Sequence, residues 1–211
     1  MVFLVPGFFG FTSVGAVSYF NAASPPNSGR MDASNSLVGD ATFGDAFGSN
    51  LYDLGGGYYG ATIYTAGNGL ASSILKKGAW NFFKADATGS NLVVGTVSAS
   101  NSLVGATSGS ANAQPPNNFS SWASATQGDI IGFFAEANNN DLRNPNTPRS
   151  STLKSLGSGN WVLGSPRWSN TAGAVTLISP QLIDSGSIKG VVSASNSIVG
   201  TAYGQQLGIN L

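Results

Sequence analysis

Ser193-Ala-Ser-Asn-Ser-Ile-Val-Gly-Thr201 decides how this chain is read, because the same string stands at two earlier places. Asp32 to Asp40 reads DASNSLVGD, and Ser98 to Ala106 reads SASNSLVGA. A second anchor precedes each copy: GAVS from Gly15, GAWN from Gly78 and GAVT from Gly173. The separations from the anchor glycine to the Asn of ASNS are 20, 23 and 23 residues. Two anchors held at near-constant separation three times over are the mark of a repeat. In such chains one unit cannot bury its apolar face alone, and neighbouring units bury it jointly.

The similarity extends outward from the anchors. Asn160 to Pro166 (NWVLGSP) precedes the third GAV, and Val2 to Pro6 (VFLVP) precedes the first at nearly the same distance. Asn35 to Leu51 matches Asn196 to Leu211 with one deletion. The anchor glycines are 63 and then 95 residues apart, and the excess falls between Gln114 and Arg149. The organisation expected is therefore a first unit over 1–51, truncated at its start, a second over 52–106, an insertion or decayed unit over 107–157, and a third over 158–211.

Each unit offers about four short strands, such as Asn160–Gly164, Ala174–Ile178, Ile188–Ser193 and Ser197–Val199. Their β-branched and aromatic residues suit a pleated, half-buried surface. The recurring Asn-Ser predicts a turn whose Asn side chain bonds its own backbone two residues on. A helical pattern is nearly absent; the best run, Gly69 to Lys77, is under three turns and uncapped. The fold class expected is all-β, built from degenerate four-stranded repeats in a partial β-propeller-like arrangement or an open, solenoid-like β array. Three units do not close a propeller of the usual 4–8 blades. A piece of a larger ring or array, with exposed edges that self-associate, is the expectation.

Composition narrows the chemistry. The chain has 211 residues, of which 9% are charged, with nine basic and nine acidic residues. An average soluble domain carries roughly 25% charged residues. Zero net charge provides no footprint for nucleic acid or an anionic membrane, both of which need clustered Lys and Arg. There is no Cys and no His. Thiolate nucleophiles and disulfides are thus excluded, and the commonest general base and transition-metal ligand are missing. Twenty-nine glycines and nine prolines distribute turn residues along the whole chain.

These residues support a resemblance. The stretch GNWVLGSPRWSNTAGAVTLIS followed by SIKGVVSASNSIVGT resembles the tandem repeats of bacterial filamentous-haemagglutinin-like and autotransporter-like surface proteins. More distantly it is similar to the FG-GAP blade of integrin-type β-propellers. Phe43-Gly44 and Phe47-Gly48 stand at the FG position, Gly164-Ser165-Pro166 at the strand end and Gly173-Ala174-Val175 at the next strand. The D-x-D-x-D-G calcium loop of that blade is missing, so its calcium role does not carry over. The resemblance implies a non-enzymatic structural or adhesive segment of a secreted or surface-exposed bacterial protein. Its partners would be neighbouring repeats of the same or a longer chain, and host or surface glycans or proteins.

Several sharper readings compete with plainer ones. The apolar run Val2 to Phe20 lacks a basic start and is broken by Gly and Pro, so a strand pair is expected rather than a signal peptide or a membrane span. Phe3 to Gly10 also resembles the opening of an α/β-hydrolase, a remote alternative that lacks G-x-S-x-G and a catalytic His. The strings Ser73-Ile-Leu-Lys76 and Ser151-Thr-Leu-Lys154 match the Ser-x-x-Lys of penicillin-recognising enzymes without the partner motifs. Solvated loops are expected there, and no cofactor. For calcium, the partial oxygen sets are Asp40 with Asp45, or Glu136 with Asn138, Asn140 and Asp141; ordinary turn capping is the plainer reading. A carbohydrate- or protein-binding propeller module is the alternative function, with Trp168, Arg167 and Trp122 as candidate ligand contacts.

Overall fold

The computed structural model describes residues 2–5, 15–19, 32–40, 47–63, 77–85, 93–107, 129, 131–132, 152–209 and 211. Within them the chain forms three separate sheets, none closed into a barrel. The second unit shows the pattern most fully. Strands β4 (Phe47–Gly55), β5 (Tyr58–Ile63), β6 (Ala79–Lys84) and β8 (Leu103–Val104) lie side by side and antiparallel. The third unit repeats this order with β9 (Leu153–Gly157), β10 (Asn160–Ser165), β11 (Ala174–Ile178) and β13 (Ile198–Val199). The first unit contributes β1 (Val2–Val5), β2 (Ala16–Tyr19) and β3 (Leu37–Val38), again antiparallel. The open, all-β, four-stranded arrangement expected from the repeat is the one found.

The two sequence anchors are partners across one ladder. Ala16 pairs with Val38, Ala79 with Val104 and Ala174 with Val199. One step on, the NH of Gly39, Gly105 and Gly200 donates to the carbonyl of Gly15, Gly78 and Gly173 at 2.9, 3.2 and 2.8 Å. The GAV and NSLVG motifs are therefore two sides of one hydrogen-bonded unit. Their constant spacing is the length of chain needed to leave β2, β6 or β11 and return beside it.

A further pair of strands links the units. Between the anchors, β7 (Gly95–Thr96) and β12 (Gly190–Val191) do not pair within their own unit. Instead β7 adds to β3 of the first unit, and β12 adds to β8 of the second, both parallel. Gly95 NH donates to Ser36 O at 3.0 Å and Val97 NH to Val38 O at 2.8 Å. One unit later, Gly190 NH donates to Ser102 O and Val192 NH to Val104 O, both at 3.0 Å. The second and third units thus each lend a strand to the sheet before them.

The sheets also stack face to face. Strand β6 is buried on both sides, and its successive side chains serve two different cores. Ala79 and Phe83 join Val17, Leu37, Phe47, Ala61, Val97 and Val104 in a cluster shared with the first unit. Trp80 and Phe82 join Leu54, Leu103, Ile131, Leu153, Leu163, Ile178 and Val192 in a cluster shared with the third. Period-2 alternation normally gives one wet and one dry face. Here both faces are dry because a neighbouring unit covers each. Trp80 is fully buried and stacks on Tyr52 at 5.2 Å and Phe82 at 5.6 Å between centroids. Aromatics packed this way dominate core energetics through the 150–250 Å² that each typically removes from water.

The hairpins that start the second and third units carry a signature of their own. Gly56 and Gly57 between β4 and β5 have φ of 62° and 83°; Ser158 and Gly159 between β9 and β10 have 52° and 75°. Positive φ at both central positions is the two-residue turn whose twist matches the flanking strands. Among the described residues helix is limited to two short pieces, α1 (Trp168–Thr171) and α2 (Pro180–Asp184). The second begins at Ser179, whose hydroxyl accepts from Leu182 NH at 3.3 Å, with Pro180 in the first turn where its missing N–H costs nothing. The run Gly69 to Lys77 lies outside the described residues except for Lys77.

Candidate functional site

The residues most strictly repeated in sequence converge on the junctions between units. In each copy of ASNS the Asn side chain ties a knot. Asn101 Oδ1 accepts from Ser98 NH at 2.9 Å and from the Ser102 hydroxyl at 3.0 Å, and its Nδ2 donates to Thr96 O at 2.9 Å. Asn196 does the same with Ser193 NH at 3.0 Å, the Ser197 hydroxyl at 3.0 Å and Val191 O at 3.0 Å. Asn35 accepts from Asp32 NH at 3.1 Å and the Ser36 hydroxyl at 2.7 Å. The side chain therefore reaches back three and five residues, not forward two. The amide geometry selects this, since only an acceptor and a donor on one planar group bridge both backbone sites.

The donor side of the knot has a consequence for assembly. Thr96 and Val191, whose carbonyls receive the amide, sit on the strands lent to the preceding unit. Asn thus fixes the lent strand against the turn that follows it. Even the substitution at the front of the first string is conservative in this sense. Where Ser98 and Ser193 bond the hydroxyls of Ser100 and Ser195 at 2.8 Å, Asp32 accepts from the Ser34 hydroxyl at 2.6 Å and from Ser34 NH at 2.9 Å.

The Ser that follows Asn meets the GAV strand. The Ser36 hydroxyl bonds that of Ser18, Ser197 bonds Thr176 at 2.7 Å, and Ser102 receives Asn81 Nδ2 at 3.4 Å. Ser18, Asn81 and Thr176 occupy one repeat position and are all buried. Asn81 breaks the hydroxyl pattern, and its Oδ1 is a buried polar atom without a partner among the described residues. Its Nδ2 is compensated by Asn101 O at 2.6 Å.

A third element closes each unit. Asp129 is 1% exposed, and its Oδ2 accepts from Ala106 NH at 2.6 Å and Thr107 NH at 2.8 Å. In the third unit Gln205 Oε1 accepts from Thr201 NH at 2.7 Å and Ala202 NH at 3.1 Å. Two residues on, Ile131 NH bonds Lys77 O at 3.3 Å and Leu207 NH bonds Ala172 O at 3.1 Å. Asp129-Ile-Ile-Gly132 and Gln205-Gln-Leu-Gly208 are thus one motif, and in sequence Asp45-Ala-Phe-Gly48 is the third copy. Within 107–157, residues 129, 131 and 132 pack with the second unit, and Thr152 onward forms the third. Asp129 Oδ1 also accepts from Ser169 NH at 3.0 Å, so this carboxylate joins the two. Three backbone N–H donors aimed at one buried carboxylate are a structural clamp, an arrangement that satisfies a group otherwise costly to bury.

Ser169 belongs to a strained turn. Ser169, Asn170 and Thr171 hold φ of 48°, 55° and 65°, so α1 is left-handed through three non-glycine residues. Such a conformation costs about 1–2 kcal/mol per residue. It is held by Asp129, by Gln206 NH on Thr171 O at 2.8 Å and by Gly204 NH on the Thr171 hydroxyl at 3.2 Å.

The residues proposed from sequence fall as follows. Trp168 is half-buried against the core between the second and third units, and its indole N–H donates to Val192 O at 3.0 Å. Its ring therefore packs on protein. Arg167 lies beside it, and burial holds its guanidinium below the usual arginine pKa. Asp40 stands one residue past the NSLVG string, at the position of Ala106 and Thr201. Trp122, Asp45, Glu136, Asn138, Asn140 and Asp141 lie outside the described residues, as do Ser73, Lys76 and Ser151. Lys154 is exposed on β9. Among the described residues no three His, Cys, Asp or Glu side chains group to hold a metal ion. No helix of the described residues is long and apolar enough to cross a membrane.

A cleft of about 610 Å³ opens between the second and third units, lined among others by Lys84, Ser100, Asn101, Asp184 and Lys189. Asp184 Oδ2 accepts the Tyr58 hydroxyl at 2.8 Å, and Lys84 Nζ lies 5.0 Å from the Tyr58 ring centroid. Phe82 and Phe83 also line it, but both are buried and offer no open ring face.

Residues 9–49, 72–113 and 155–209, more than half of the chain, match the family described as a repeat of unknown function (DUF5650). Each segment carries one GAV anchor and one ASNS string. The chain belongs to this family. No curated protein and no solved structure matches it. The knotted Asn, the paired anchors and the lent strand are then the physical content of the DUF5650 repeat in this protein. The [DQ]-x-apolar-Gly closure falls inside the first and third matched segments and beyond the end of the second.

Proposed function

We propose that this DUF5650 protein is a non-enzymatic structural or adhesive repeat segment of a secreted or surface-exposed bacterial protein. The observation that carries the reading is the lending of β7 and β12 to the preceding sheet, which makes each junction a continuous ladder rather than a contact of side chains. A unit so built transmits load and position along a stack, and the Asn and following Ser repeated in all three copies are spent on that construction. The charge-poor, Ser/Asn/Gly-rich surface is of the kind common in secreted β-proteins. The resemblance to haemagglutinin-like and autotransporter-like repeats, and more distantly to FG-GAP blades, points to the same class.

The cleft beside Lys84, Asp184 and Lys189 favours one second reading, a carbohydrate- or protein-binding module. Titration of the chain with a panel of neutral and anionic glycans, followed by tryptophan fluorescence, separates the two. The structural reading expects no saturable change. A saturable signal lost on Lys189→Ala would establish the binding module and overturn a purely structural role.

A further inference from the structure

Charge is scarce in this chain, and within the described residues it gathers at one place. The basic residues there are Lys77, Lys84, Lys154, Arg167 and Lys189, and two of these five line the cleft between the second and third units. Asp184 is the one acid among the described lining residues, so ammonium groups outnumber carboxylates by two to one. Tyr58 of the second unit fixes a charge of each sign. Its hydroxyl donates to Asp184 Oδ2 at 2.8 Å, and Lys84 Nζ lies 5.0 Å from its ring centroid. Lys189 reaches the cleft from the third unit, exposed, just before the lent strand β12. At about 610 Å³ the cleft falls within the roughly 300–1,000 Å³ of small-ligand sites.

The remaining lining selects among anions. Ser100 and Ser185 stand exposed in it. The Ser100 hydroxyl bonds that of Ser98 at 2.8 Å, the Ser185 hydroxyl donates to Leu182 O at 3.1 Å, and each oxygen keeps acceptor capacity. Asp184 takes the Tyr58 proton on one oxygen, and a carboxylate accepts on both. These acceptors suit a ligand rich in hydroxyl donors. A neutral sugar is held chiefly by aromatic rings against its C–H face, and Phe82 and Phe83, buried as they are, present none. Recognition at this site therefore falls to charge.

We propose that the cleft binds an acidic saccharide. Lys84 and Lys189 take the carboxylate of a uronic-acid unit, and the hydroxyls of that unit donate to Asp184, Ser100 and Ser185. This inference rests on the reading of the cleft as a binding site and supplies its ligand class. Lys84 and Ser100 belong to the second unit, Asp184, Ser185 and Lys189 to the third, so the site exists only where the two units are stacked. The junction that joins them is also the place of recognition.

A linear tetramer of galacturonic acid, its methyl ester and tetraglutamate separate the contributions. The ester keeps the hydroxyls without the charge, and the peptide keeps the charge without the hydroxyls. Calorimetric titration of the full chain is expected to show saturable binding of the acid tetramer, and binding at least about tenfold weaker for the other two. Amide shifts on binding are expected at Asn101, Gly186 and Lys189. Lys189→Ala is expected to weaken binding of the acid at least about tenfold and Lys189→Arg to retain it. Lys154→Ala, which removes the same charge from exposed β9, should leave binding unchanged. The Lys189 side chain is exposed, so circular dichroism should be the same for all variants. Ester or tetraglutamate binding as tight as that of the acid, with shifts at the cleft, overturns the assignment and leaves the cleft a binding site. Binding of the acid indifferent to Lys189→Ala, or silence with all three ligands, overturns the assignment and the binding reading together, and leaves the stacking of units untouched.

Discussion

Replacing Asn101 with alanine is expected to cost about 1.5–4.5 kcal/mol of unfolding free energy, from three hydrogen bonds at a net ~0.5–1.5 kcal/mol each. The loss should also change the shape of the transition. Asn101 holds Thr96, and Thr96 lies on the strand given to the first unit. Without the amide the turn retains Ser102 NH on Ser98 O at 2.9 Å, but the lent strand loses its tether. In a chain whose stability is a sum of unit and junction terms, a weakened junction lets neighbours unfold separately. Urea denaturation should therefore show a shallower slope as well as a lower midpoint. Asn101→Asp keeps the Oδ1 acceptor but turns the Thr96 contact into an oxygen facing an oxygen, so an intermediate loss is expected. Equal behaviour of the Ala and Asp variants would mean the Thr96 bond is the whole contribution.

Gly173→Ala is expected to be strongly damaging. Gly173 holds φ at 84°, and a Cβ there would be driven onto the Leu207 backbone nitrogen and lie 2.8 Å from the Gln206 carbonyl carbon. Neither neighbour is a side chain that can swing away. The left-handed conformation costs an alanine about 1–2 kcal/mol, and overpacking typically adds ~1–3 kcal/mol. A loss of roughly 2–5 kcal/mol is therefore expected, a large share of a typical domain's total. Gly204→Ala is the control: φ is 78° but nothing lies within 4 Å of the added Cβ, so only the conformational cost remains. Thermal unfolding of the two variants side by side separates torsion from collision. Similar midpoints would show that the Leu207 backbone yields and does not fix the anchor.

How much of this was legible depends on which contacts are local. GAV and ASNS are close in sequence and similar in all three copies, so their pairing and the strands around them could be read from spacing. The closure motif could not, because Gly105 and Asp129 are 24 residues apart where Gly39 and Asp45, or Gly200 and Gln205, are six and five. The hairpin equivalence of Leu54-Gly-Gly-Gly57 and Leu156-Gly-Ser-Gly159 was equally hidden, since the strands beyond it share almost no residues. Lent strands leave no periodic trace at all: two residues are too few to alternate, and their partners lie a whole unit away. Trp168 illustrates the limit for sites. Its loop position beside Arg167 is visible in sequence, whereas its bond to Val192 is tertiary and has no local signature.

The stacking of units stands or falls on the parallel ladders between them, and amide hydrogen exchange reads those ladders residue by residue. Gly95, Val97, Gly190 and Val192 donate across the junctions, and Gly39, Gly105 and Gly200 donate within units. Measured in the full chain, the two groups are expected to show similar protection, with Val199 NH, on the outer side of the last strand of its described sheet, exchanging far faster. Exchange of the four junction amides at the rate of open loops, beside well-protected anchor glycines, would show instead that the units fold as separate beads.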